Sequence, residues 1–239
     1  MTSRRRLTAI VAATLLAGCA VRPPVPDWRL DLRQAVEQGV AAELQARDRG
    51  AALHWARAEQ AARSAADAQA LARVALLRCA LRLAAAQPGA CRAAEPFLPD
   101  ASAAERAYAA WLAGALPPPA AEGAGGAMPV TLPASTLALR ALGPTPDPAT
   151  ALVALRGLDD PVSRLVAGGW LWQAGRLDSE GVALLVDTAA AQGWRRPLAA
   201  WLAVQQRLAE QTGDVATAQR ARRRLAWLLQ SGSDAAPAP

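Results

Sequence analysis

Apolar side chains recur along this chain at helical spacing, and no stretch alternates apolar with polar residues for long enough to make a strand. Trp28, Leu32, Val36, Val40 and Leu44 fall on one face of a first helix, which Gly50 is expected to close. A second helix is expected over residues 51–65. Leu71, Val74, Leu77 and Leu81 mark a third, stopped at Pro88. Ser102 and Glu105 have the spacing of a capping box, ahead of a fourth helix with Tyr108, Trp111 and Leu112. Asp147-Pro148 and Asp160-Pro161 each set a capping carboxylate before a proline at the first helical position. Val182, Leu185, Val186 and Ala189 form another stripe, and Leu198, Trp201, Leu202 and Leu208 a further one. A last helix starts near Asp214 and carries Val215, Ala218, Leu225 and Leu229. The fold class that follows is all-α, built from antiparallel helix pairs.

Apolar types make up 53% of the 239 residues, but much of that share is alanine, which buries little area. With one Phe and one Tyr, the eight tryptophans must supply most of the bulky packing. Between residues 117 and 132 the composition changes to Pro117-Pro118-Pro119 followed by a glycine-rich run. This reads as a linker between an N-terminal helical lobe, 27–116, and a C-terminal one, 133–230. Residues 231–239 read as a disordered, polar tail.

The amino terminus carries an address. Arg4, Arg5 and Arg6 precede a short apolar run from Leu7 to Leu16, which is too short to cross a bilayer. The stretch Leu16-Ala17-Gly18-Cys19 that follows resembles the bacterial lipobox at every position. That resemblance implies a signal peptide over residues 1–18, cleavage before Cys19, and acylation of that cysteine. Two or more acyl chains hold a protein stably at a membrane. Ala20 stands where lipoproteins kept in the inner membrane often have aspartate, so the resemblance implies the periplasmic face of the outer membrane. Residues 19–26 would then be the lipidated cysteine and a semi-rigid tether, with three prolines in Val21-Arg22-Pro23-Pro24-Val25-Pro26.

Gln173-Ala174-Gly175-Arg176 recurs as Gln211-Thr212-Gly213-Asp214, 38 residues later. The segment from Leu208 to Ala218 resembles the inter-helix turn of a tetratricopeptide repeat, with Gly213 ending one helix and Ala218 as the small residue of the next. The small residue expected near Gln206, an aromatic in the second helix and a closing proline are absent. The architecture implied is tetratricopeptide-like or an irregular α-solenoid, whose stacked helix pairs present a groove to other proteins.

Chemistry is sparse. His54 is the only histidine, so nucleophilic catalysis has one possible base and no histidine pair can hold a metal. There is no lysine, which excludes a Walker phosphate loop. No cofactor is expected. The formal net charge is +6, but acidic residues are spread along the chain, so nucleic acid is not an expected partner. Cys79 and Cys91 are expected to pair in an oxidising compartment. Candidate partner-binding residues are Trp170, Trp172 and Trp194 from a tryptophan cluster that also includes Trp201 and Trp227, together with Arg220, Arg222 and Arg223. Arg195 and Arg196 are placed to join those arginines in space.

The function that follows is a membrane-anchored periplasmic scaffold or accessory factor for an envelope protein machine, not an enzyme. Two alternatives stay open: a peptidoglycan-acting enzyme working through carboxylates, and a binder of lipopolysaccharide or anionic lipid.

Overall fold

A computed structural model describes residues 25–115, 132 and 147–233 of the chain, and it is all-α. Nine α-helices are described: α1 (Asp27–Leu44), α2 (Asp48–Ser64), α3 (Ala68–Ala84), α4 (Ala103–Leu112), α5 (Pro148–Arg156), α6 (Pro161–Gln173), α7 (Ser179–Ala191), α8 (Arg195–Thr212) and α9 (Val215–Ser233). A 3-10 segment, Arg92–Asp100, lies between α3 and α4. Side-chain caps set many of the starts. Asp67, Asp147, Asp160 and Asp178 each accept the backbone N–H three residues on. Asp214 does the same for Thr217. Ser102 and Glu105 form the complete capping box.

The helix ends share one device. At each of seven turns a residue with positive φ is followed by an N–H bonded to the carbonyl five residues back, the Schellman pattern. Glycine fills that position at Gly114, Gly175, Gly193 and Gly213, so both glycines of the 38-residue recurrence are left-handed helix ends. At the other three turns the residue is alanine: Ala46, Ala66 and Ala86, spaced 20 residues apart with φ of 57°, 51° and 52°. The expected stop at Gly50 is corrected here. The first helix ends at Leu44, Ala46 makes the turn, and Gly50 lies inside α2, which begins at Asp48 rather than residue 51. Starting α2 there puts Ala51, Trp55, Ala58 and Ala62 on one buried stripe. That burial outweighs the cost of a left-handed alanine, about 1–2 kcal/mol.

Those alanines yield the first expected result. Glycine at Ala46 or Ala66, both exposed, removes the left-handed penalty and gives back part of it as unfolded-chain entropy. Each replacement should stabilise the chain by about 0.5–1 kcal/mol, and the pair should raise Tm by about 2–6 °C. A lower Tm in thermal melts would refute this account of the turns.

Helix α3 is the hinge of the packing. It is buried on nearly every side, as its uninterrupted apolar run requires. One face joins Leu32, Val36, Trp55, Ala58 and Ala62 of α1 and α2 in a first core. The other face, with Leu76, Ala80, Leu83 and Ala84, joins a second core containing Trp111, Leu155, Leu165, Val166, Trp170, Leu185 and Trp201. Apolar contacts therefore run from α3 to the helices beyond residue 132, and Leu132 itself packs against both cores. Trp201 Nε1 donates to the Ala84 carbonyl at 2.8 Å and Trp170 Nε1 to the Trp111 carbonyl at 3.0 Å. Helices α3 and α6 touch, and so do α8 and α1, contacts that a strictly one-dimensional stack does not make.

Cys79 on α3 and Cys91 stand at disulfide distance, S–S 1.98 Å with Cα–Cα 5.7 Å. The bridge pins the 3-10 segment to α3. Closing a loop between residues 12 apart is worth about 2–3 kcal/mol.

Candidate functional site

Two surfaces combine exposure with an arrangement of side chains that a partner could read. The first is a groove between α1 and α2. Small residues along the shared face, Gly39, Ala35, Ala58 and Ala62, bring the two helices close together. Gly39 fits because a Cβ there would lie 3.0–3.1 Å from the ring of Trp55. To one side, Asp31, Gln34 and Gln38 of α1 face Arg57, Gln60 and Ser64 of α2 across an open groove of about 450 Å³. Side-chain amides in that number suit hydrogen bonding to polypeptide backbone, since each offers both donors and an acceptor.

The second surface is the outer face of α9. This helix packs on α8 through Ala218, Ala221, Leu225 and Leu228. The opposite face carries Arg220, Arg223 and Trp227, and the flank toward the start of the helix pair carries Val215, Arg222 and Leu229; the three arginines are exposed, and Val215, Trp227 and Leu229 are 62%, 63% and 60% exposed. A smaller groove of about 280 Å³ lies between α8 and the start of α9, lined by Glu210, Val215, Gln219 and Arg222 among others. At the helix start, the Thr217 hydroxyl and amide bond to Asp214 and, with Arg220 nearby, hold its carboxyl below the usual aspartate range.

The candidate residues do not converge. Trp170 is buried against Trp111, with ring centroids 6.2 Å apart and planes 9° from parallel, so it is core and is corrected as a partner-facing residue. Trp201 is fully buried as well. Trp172 and Trp194 are half-buried, on α6 and at the start of α8, and pack on the cores. Of the cluster, Trp227 alone is fully on the surface. Arg196 is corrected too: it turns away from α9 and clasps the end of α1. Its Nε donates to the Glu43 carbonyl at 2.8 Å and pairs with Glu43 Oε1 at 3.2 Å, while Nη2 bonds to Asp48. Arg195 does reach α9, where it donates to the Leu228 carbonyl at 2.7 Å. Cys19 lies outside the described residues.

Sequence reasoning missed the glutamine groove. Its signal was Gln34, Gln38 and Gln60 at helical spacing on the polar sides of two neighbouring amphipathic helices. It also missed the partner of Glu105, the most buried carboxylate among the described residues at 1% exposure. Arg73 Nε donates to Glu105 Oε1 at 2.6 Å, and the Ser102 amide donates to Oε2 at 2.7 Å. Burial pushes this carboxyl up, but the bonds from Ser102 and Arg73 and the Arg73 charge outweigh it and hold the group below its ordinary 4.5. A general acid needs the opposite shift. Among the described residues no helix is long and apolar enough to cross a membrane, and no three His, Cys, Asp or Glu side chains gather as metal ligands would. No protein-family model matches the chain, and neither does any curated protein or solved structure.

Proposed function

We propose that this chain is a lipid-anchored protein of the periplasmic face of the outer membrane, and that it works as an interaction scaffold for an envelope protein machine. The address rests on Leu16-Ala17-Gly18-Cys19 and the proline tether behind it. The scaffold role rests on one observation above the rest, the amide-lined groove between α1 and α2. A groove of that shape on paired helices takes a segment of another protein, with Gln34, Gln38 and Gln60 bonding to its backbone and Asp31 and Arg57 setting its charge register. The clasp of Arg196 on Glu43 and Asp48 holds the groove-bearing pair in a fixed place on the rest of the chain. The tether keeps that groove within reach of membrane-bound complexes.

The test is site-specific photo-crosslinking in living cells. A photoreactive side chain at Gln38 or Gln60 should capture one and the same envelope protein, and Cys19→Ala should abolish the capture. A reactive side chain at Val153, 69% exposed on α5, should not capture it. Equal capture from Val153, or none from either groove position, would remove the reading.

A further inference from the structure

We propose that the outer face of α9 is a membrane-contact surface, lying flat on a bilayer that carries anionic headgroups. The helix has 19 residues, about 28 Å of length. It contains four arginines and no acidic residue. The charge of the chain makes this concentration meaningful. The total is +6, and three of those charges, Arg4 to Arg6, belong to the segment before the apolar run. The four arginines of α9 exceed the three positive charges left, so the rest of the chain from Cys19 onward is slightly acidic.

Geometry aims the charge outward. Arg223 sits on the face away from α8 and Arg222 on the flank beside the small groove shared with α8, and neither makes a hydrogen bond or ion pair with any described residue. Arg223 and Trp227 are four residues apart on one flank, and Arg222 and Leu229 are seven apart on the other. Each flank thus pairs a guanidinium with a large apolar side chain, both exposed. An acidic protein surface would match the arginines but would leave Trp227 and Leu229 in water. A bilayer interface satisfies both: guanidinium forks bind phosphate in pairs, while tryptophan and leucine enter the headgroup boundary. The choice of a bilayer rests on the tethered reading above, which sets this chain beside one. The contact would be a second hold on the membrane, fixing which way the α1–α2 groove faces.

The test uses the chain from residue 19 onward with Cys19→Ala, free of the Arg4–Arg6 segment, so that the lipid anchor and this surface can fail separately. Binding is measured by co-sedimentation with vesicles of phosphatidylcholine, with and without phosphatidylglycerol. The chain should bind the anionic vesicles, and raising the ionic strength should weaken the binding. Arg222→Glu with Arg223→Glu should lower affinity at least about tenfold, since each basic residue near such a surface contributes roughly fivefold. Trp227→Ala should lower it by about threefold or more. Arg92→Glu, exposed on the 3-10 segment and outside both grooves, should leave it unchanged. Arg222→Gln with Arg223→Gln, checked by circular dichroism and melting, separates lost charge from lost fold. Equal binding to neutral vesicles, or wild-type affinity in the double reversal, would overturn the proposal. So would polyglutamate binding as tightly as the anionic vesicles, which would assign the face to an acidic protein.

Discussion

Replacing Gly169 with valine is expected to cost the chain its native fold, and replacing it with alanine to cost at least about 3 kcal/mol. A Cβ at this position would stand 2.0 Å from the Leu83 carbonyl oxygen and 2.7 Å from its carbon. Those are backbone atoms of α3, which cannot swing aside as a side-chain tip can. The only relief is to move α6 off α3. That would open the second core where Leu83, Ala84, Trp170 and Trp201 meet, and would lengthen the Trp201 bond to Ala84. Since a domain holds roughly 5–15 kcal/mol in all, the valine variant exceeds what the chain can lose. Two neighbours calibrate the claim. At Gly168 the obstacle is the side chain of Leu185, at 2.3 Å, which can change rotamer, so Gly168→Ala should cost about 1–2 kcal/mol. At Gly50 the nearest atom is Ala42 Cβ at 3.8 Å, so Gly50→Ala should be neutral or stabilise by up to about 1 kcal/mol. Urea unfolding of the three alanine variants reads the order directly. A Gly169→Ala variant within about 1 kcal/mol of wild type would mean that α6 does not ride on the α3 backbone.

How much of this was legible beforehand depends on whether the signal was local. Caps are local: Ser102 with Glu105, Asp147-Pro148, Asp160-Pro161 and Asp214 were readable because each motif is complete within four residues. Turns were legible only where glycine marked them. Ala46, Ala66 and Ala86 take the same left-handed turn with a residue that ordinarily signals helix, so the reading looked past Ala46 to Gly50. The 20-residue spacing of those alanines was present in the sequence, but in an alanine-rich chain it carries no contrast. Burial of Trp170 had a readable cue, since it follows Val166 by four residues on the same helical stripe. The adjacent Gly168 and Gly169 inside a helix were a cue to close helix approach. What no local pattern could reveal is pairing across the chain. Arg196 meets Glu43 across 153 residues, and Trp170 meets the Trp111 carbonyl across 59. The exposed face of α9 was legible as composition, but which side of the helix faced outward was not.

Glu105→Gln should cost about 3 kcal/mol near neutral pH, and the loss should fade as the pH falls. The carboxylate is 1% exposed and Arg73 13%, so the pair is well sheltered from solvent screening. Removing one charge of a buried pair typically costs about 3–5 kcal/mol, because the remaining charge loses its ion-pair partner. Glutamine keeps the shape and one acceptor, which sets the expectation at the low end. The direction with pH follows from the lowered pKa. A carboxyl held below its unfolded value of 4.5 binds its proton more weakly in the folded chain. Its contribution is therefore complete above the unfolded value and disappears as pH falls through the folded one. Below that point wild type carries a neutral acid where the variant carries a neutral amide, and the two should converge in stability. Asp147 and Asp214 are also held low by the hydrogen bonds that Thr150 and Thr217 donate to them, so wild type and variant alike lose stability in acid. Only the difference between the two chains isolates Glu105. Urea unfolding of both from neutral pH down to the acid limit measures it. A gap that stays constant across that range would show that the introduced amide disturbs packing instead, and that the bond from Arg73 to Glu105 adds nothing through charge.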